Sequence, residues 1–245
     1  MNSPGPPVRG ANISEWMERA LELFRVTLLK CLPLATIAVL CSDVPNLYWI
    51  LTGHSLTGGL PSDPTYWVLY VIAAALALYI ASAVMLQQRS VALGVPFSAG
   101  TSLATAARRL PALLLTWILA QLSLVVGFSL LILPGIFLLV CYLVLLPVVL
   151  FERQSPHMAL VRCVLLVRPH WWKMFAALVI ALLVALVGMI ALAAILDILA
   201  TLLAGEGPAF QAIMAAGSVV IAAVALAFLS ALALTLHSAL ASSSA

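Results

Sequence analysis

The stretch WWKMFAALVIALLVALVGMIALAAILDIL, residues 171–199, has one charge near each end, Lys173 and Asp197, and none between them. A transmembrane helix needs about 20 mostly apolar residues to cross about 30 Å of hydrocarbon. This stretch is long enough, and its neighbours repeat the pattern. The full chain has 245 residues, of which 65% are hydrophobic and 8% charged. A soluble protein has about 45–50% and about 25%. So little charge could not cover a water-facing surface, and the mean hydropathy of +1.21 points to lipid as the solvent. A soluble enzyme, a nucleic-acid-binding domain and a disordered chain are thereby excluded.

Five further spans are expected, at residues 27–51, 66–86, 111–133, 135–151 and 210–237. The first contains Pro33 and Pro45. Its outer end, with Asp43, Pro45 and Asn46, is expected to bend or unwind. The fourth is short and contains Pro147, which predicts a helix kink. Pro134-Gly135 alone joins the third and fourth spans. Pro presets φ at the second position of a turn and Gly accepts positive φ at the third, so a tight hairpin is predicted there.

Three amphipathic helices are expected on one face of the membrane. Residues 13–25 place Ile13, Met17, Ala20, Leu21 and Phe24 on one side, with charges mostly on the other. Residues 101–110 end in Arg108 and Arg109, where the helix dipole favours cations. Residues 156–168 start with Pro156 after a Ser155 cap and carry Arg162 and Arg168. Each precedes a pair of spans, so the chain reads as three copies of one surface helix plus two crossings. The expected organisation is a disordered tail at 1–12, one membrane domain at 13–240 and a short tail at 241–245.

Charge sets the orientation. All eleven Lys and Arg residues fall before or at the start of span one, between spans two and three, or between span four and the start of span five. The opposite connections carry Asp43, Asp63, Asp197 and Glu206. The positive-inside rule makes the basic side cytoplasmic, and six spans then put both termini there. Trp171 and Trp172 suit an interface beside Lys173. Arg19, Arg25, Lys30, Arg108, Arg109, Arg162, Arg168 and Lys173 are candidate contacts for anionic lipid headgroups, at about 1 kcal/mol for each cation near the surface. The plainer alternative is that these charges only set topology.

The run Ile132-Leu133-Pro134-Gly135-Ile136 leads to Leu145-Leu146-Pro147-Val148-Val149-Leu150-Phe151-Glu152. Ser155-Pro156, Arg162, Arg168 and Trp171-Trp172-Lys173 follow. This resembles the signature of the glycerophosphoryl diester phosphodiesterase membrane domain and the related YciC-like bacterial membrane proteins. One departure is Pro169-His170 before the aromatic pair. The resemblance covers most of the chain and implies a multi-spanning protein of the bacterial inner membrane. It concerns the membrane region only, and no catalytic domain is expected.

The residues offer little chemistry. Cys31, Cys41, Cys141 and Cys163 have no metal-ligand spacing and read as free thiols. No phosphate-binding or zinc motif is present, and no cofactor is expected. Ser129 with His237 is the nearest thing to a hydrolase pair, but about 30 Å of helix separates their levels. Gln121 lies about 15 Å into the third span, near the midplane. It would line a solute path or bond a neighbouring helix. Ala177, Ala181 and Ala185 form one small-residue stripe, and Ala223, Ala227 and Ala231 another, which predicts packing of spans five and six. The expected protein is an all-α polytopic membrane bundle, non-enzymatic and concerned with envelope or lipid organisation. A transporter or lipid translocator is the alternative and an intramembrane hydrolase the third. Membrane lipids are the expected partners; nucleic acid is not.

Overall fold

The computed structural model describes residues 13–53, 61, 63–95, 98–152, 154–205 and 207–243. The expected tail at 1–12 and Arg9, His54, Arg153 and Glu206 lie outside the described residues. Within them the chain is all helical: α1 (Ile13–Leu51), α2 (Pro64–Ala92), α3 (Ala99–Leu130), α4 (Ile132–Tyr142), α5 (Leu145–Phe151), α6 (Pro156–Val167), α7 (Trp171–Ala204) and α8 (Pro208–Ser243). A 3-10 turn over Arg168–His170 joins α6 to α7. Six segments are long and apolar enough to cross a membrane, and the protein is a multi-pass membrane protein.

The framework is α1, α2, α7 and α8. Lys30 of α1 meets Gln87 of α2, and Asn46 meets Tyr66, so these helices run antiparallel. Phe24 packs edge-on to Phe228 at 5.7 Å, while Ala223 packs with Cys31, Leu34, Ala35 and Ala38, so α8 is antiparallel to α1. Gly217 of α8 sits against Leu196 of α7. One end of this framework therefore gathers the start of α1, the end of α2, the start of α7 and the end of α8. It carries Arg19, Arg25, Lys30, Arg89 and Lys173 together with Glu15, Glu18 and Glu22. The other end carries Asp43, Asp63 and Asp197. The larger apolar core lies toward the basic end, where α3, α4, α5 and α6 contribute Leu113, Val140, Val148 and Cys163.

Two of the expected surface helices are not separate elements. Residues 13–25 continue into the first span within α1, and 101–110 continue into the third within α3. No Gly breaks either junction, and the Thr27 hydroxyl donates to Leu23 O at 2.7 Å, inside the helix. The outer end of α1 also stays helical to Leu51. Its polar groups find partners on α2: the Tyr48 hydroxyl donates to Asp63 at 2.8 Å, and the Tyr66 hydroxyl to Asn46 at 3.3 Å. The expected tail at 241–245 is likewise helical as far as Ser243.

The α3–α4 hairpin turns three residues earlier than predicted, at Leu131 rather than Pro134. Leu131 alone is extended, with φ −164° and ψ 152°. Pro134 and Gly135 lie in the first turn of α4 rather than at the bend. Pro costs little there, because N–H groups in a first turn have no helical partner. Gly135 permits close packing: a Cβ on it would overlap the Phe128 ring, and a Cβ on Gly127 would lie 3.3 Å from Gly135 Cα. Gly127→Leu should force α3 and α4 apart and cost about 1–3 kcal/mol. Thermal unfolding of the detergent-solubilised protein measures it.

The fourth span is divided at Leu143-Val144. Pro147 cannot donate to the carbonyl of Leu143, four residues back, and its ring crowds that carbonyl. The helix stops there and restarts as α5, with Pro147 in the new first turn. After Glu152 the chain reverses, and α6 packs against α3, α4 and α5. The Phe137 ring, two residues past Gly135, consequently stacks on Trp171 with centroids 5.9 Å apart. The sequence reading puts the α3–α4 turn and Trp171 on opposite faces. The structure brings them together, because the chain goes out through α4 and α5 and returns through α6.

Candidate functional site

The polar groups of the bundle converge where α2, α5, α6 and α8 meet. Glu152 caps the end of α5, and its carboxylate joins two helices. The Arg162 Nε of α6 donates to Oε2 at 3.0 Å, and His237 Nε2 of α8 lies 3.1 Å from Oε1. Arg89 of α2 places its guanidinium 3.8 Å from the centroid of Phe151. The Phe151 ring also borders the His237 ring, with centroids 6.2 Å apart. The side chains of His237, Glu152 and Arg162 are 12%, 20% and 38% exposed. The site is thus sheltered on the His237 side and open beside Arg162.

Local sequence explains this placement. Residues 145–151 are apolar throughout and bury Leu145, Pro147, Val148, Val149 and Leu150, so Glu152 is the first charged side chain as α5 leaves the core. On α6, Ala159 and Cys163 are buried and Arg162 is carried to the rim. On α2, Gln87, Gln88, Arg89 and Ser90 are four consecutive polar residues ending an apolar helix. Gln87 Nε2 donates to Lys30 O of α1 at 3.3 Å, and Gln88 Nε2 to Ala227 O of α8 at 2.8 Å. Arg89 faces α5. Gly94, with φ 68°, then lets the Val95 N–H return to Ser90 O at 3.0 Å, which stops α2 just past this polar run.

Of the residues singled out from sequence, Arg162 belongs to this site. Trp171 stacks with Phe137 and Phe175, and Trp172, 76% exposed, packs edge-on to Trp171. Arg25, Lys30, Arg108, Arg168 and Lys173 are exposed, and Arg19 and Arg109 are half-buried. Among the described residues, none of these seven has a carboxylate within 4.0 Å.

Gln121 is exposed on the outside of α3, so it lines no path between the helices and bonds no neighbour among the described residues. Its depth was legible from the sequence, but its face was not. Ser129 is exposed in the last turn of α3, near the Gly127–Gly135 contact. His237 lies beside Phe151 and Glu152, at the other end of the α4–α5 segment, with Nε2 engaged by the carboxylate. The hydrolase pair is not assembled. Cys31, Cys141 and Cys163 are buried and Cys41 is half-buried, all as free thiols. Among the described residues no cluster of His, Cys, Asp and Glu could hold a metal ion.

Sequence alone does not mark Glu152 as a hub, with Arg162, His237 and Arg89 gathered around it and the neighbouring Phe151. Two signals were present: an acid directly after a wholly apolar segment, and four polar residues in a row at the end of a span. Neither identifies the partner helix. What the arrangement does is tie four helices together through one carboxylate and one aromatic ring. It also leaves the Arg89 guanidinium without a carboxylate partner among the described residues. No protein-family model matches the chain, and neither curated proteins nor solved structures give a match.

Proposed function

We propose that the protein is a non-enzymatic integral protein of the bacterial inner membrane that organises anionic phospholipid, with its basic end and both termini at the cytoplasm. The observation that carries this reading is a set of exposed cations with no carboxylate within 4.0 Å among the described residues. Arg25, Lys30, Arg89, Arg108, Arg168 and Lys173 are exposed, while the carboxylate of Glu152 is taken by Arg162 and His237. Cations kept at one end avoid the cost of crossing hydrocarbon, and anionic headgroups supply the missing counter-charge. The exposed Trp172 beside Lys173 suits the headgroup level. The likeness of residues 132–173 to the YciC-like membrane proteins supports the same placement.

Lipid retention tests this. The protein extracted in mild detergent should retain phosphatidylglycerol in excess of its share of the membrane. Replacing Arg25, Lys30, Arg108, Arg168 and Lys173 together by Gln should bring retention back to the bulk ratio. Retention that ignores headgroup charge in the unmodified protein would refute the reading.

A further inference from the structure

We infer that Arg89 and Arg162, brought together around Phe151 and Glu152, form a discrete site for a phosphate oxyanion at the basic end. This rests on the anionic-lipid reading and narrows it to one place. Three features bear on this pair of cations. First, Arg89 is held: the centre of its guanidinium lies 3.8 Å over the Phe151 ring, a contact that leaves its N–H groups as donors. Second, Arg162 is anchored through Nε alone in the described hydrogen bonds, at 3.0 Å from Glu152, so its terminal nitrogens remain as donors. Third, one carboxylate serves Arg162 and His237 together, and Arg89 has none within 4.0 Å among the described residues. The local balance of two guanidinium groups against one carboxylate leaves a positive charge.

A phosphate matches this arrangement. Its oxygens accept paired N–H groups from guanidinium forks, and charge-assisted bonds of this kind are about twice as strong as neutral ones. Arg89 lies three residues before the end of α2, and Phe151-Glu152 is the end of α5. The site therefore opens where apolar helix surface gives way to the charged end, the level of a phospholipid phosphate. The phosphate of a lipid headgroup and a free phosphate share this chemistry. They differ in charge and in the ester groups and acyl chains that only the lipid phosphate carries.

The test uses the full chain, delipidated in detergent, and follows its melting temperature. A ligand that binds the folded state raises the melting temperature, with a stabilisation that grows as the logarithm of its concentration over its Kd. Phosphatidylglycerol, phosphatidylcholine and inorganic phosphate are titrated separately. The unmodified protein should respond to phosphatidylglycerol and not to phosphatidylcholine. A response to phosphatidylglycerol alone assigns the site to a lipid, and a response to inorganic phosphate as well assigns it to the phosphate group itself. Arg89→Gln should weaken the apparent affinity about tenfold, as loss of a charge-assisted fork does. Arg89→Lys keeps the charge but loses the planar fork, and should recover only part of it. Arg108→Gln with Arg109→Gln removes more charge but no part of this fork, and should weaken the apparent affinity less than Arg89→Gln does.

The inference is overturned if Arg89→Gln binds as the unmodified protein does, or if the Arg108/Arg109 pair loses as much as Arg89→Gln. Either result, with phosphatidylglycerol still preferred by the unmodified chain, would leave the broader reading of the basic end standing. No preference in the unmodified chain would remove both.

Discussion

Ala227→Leu is expected to lower the unfolding midpoint of the detergent-solubilised protein by the largest margin of any single substitution considered for this bundle. Ala227 is fully buried on α8, and its carbonyl accepts from Gln88 Nε2 at 2.8 Å and from the Ser230 hydroxyl at 2.9 Å. Gln88 is itself fully buried. Three extra carbon atoms at Ala227 cannot be placed without moving α8 away from its neighbours. Overpacking of this kind costs about 1–3 kcal/mol. Loss of the Gln88 bond adds about 1 kcal/mol, because a buried amide is left without its acceptor. The total of about 3 kcal/mol can be measured by thermal or denaturant unfolding. Val187→Leu, on the exposed face of α7, serves as a control and should not shift the midpoint. An unchanged midpoint in Ala227→Leu would mean that α2 and α8 do not meet at this carbonyl.

Glu152→Ala should have the second largest effect. It removes the acceptor of Arg162 and the partner of His237, and leaves two guanidinium groups near an imidazole with no carboxylate between them. Hydrogen bonds to charged groups contribute about 1.5–3 kcal/mol. Arg162 is more than a third exposed, so water takes back part of this. A net loss of about 2 kcal/mol is expected. Glu152→Gln, which keeps the acceptor oxygen and the shape, should lose about half as much. Combining Glu152→Ala with Arg162→Ala in a double-mutant cycle should give a coupling of about 1 kcal/mol. Strictly additive effects would show that the pair seen at 3.0 Å contributes nothing to stability.

The small-residue stripes show how far a pattern can be read without a partner. The spacing of Ala223, Ala227 and Ala231 announces a close helix contact, and all three are fully buried. The expected neighbour, the fifth span, is not the one that covers this face. Ala223 packs with Cys31 and Ala35 of α1 and Ile80 and Val84 of α2, and Ala227 receives Gln88. The fifth span does pack with α8, through Leu196 on Gly217 and through Ala177 and Ala181, which share a core with Phe228 and Leu232. A stripe of Ala says only that something comes near. Any helix can supply the apposed surface, so spacing cannot choose among them.

Pro147 and Gln121 mark the same boundary from two sides. The break before Pro147 is a local consequence of a missing N–H and a crowded carbonyl, and it could be placed from the sequence to within a turn. The depth of Gln121 is equally local, since rise per residue is constant in a helix. Its direction depends on how α3 rotates against α2, α4 and α6, and that rotation is decided by the sum of many contacts. Glu152 is the sharper example. As a charge beside an apolar run it was visible, but its two partners lie 10 and 85 residues away in the chain.

Composition, span length and the sorting of charge are properties of the solvent as much as of the chain, and the sequence by itself determined them. Hydrocarbon rejects charge and unpaired backbone, so an all-helical multi-pass protein follows from apolar runs alone. Which helices touch, that α6 folds back to set Trp171 on Phe137, and that Arg89, Glu152, Arg162 and His237 share one site were decided only by the tertiary structure. Lipid is as apolar as the helix surfaces it would separate, so the hydrophobic effect that drives the helices out of water does not choose their neighbours. Close packing and a few hydrogen bonds make that choice, and they arise between residues far apart in the chain.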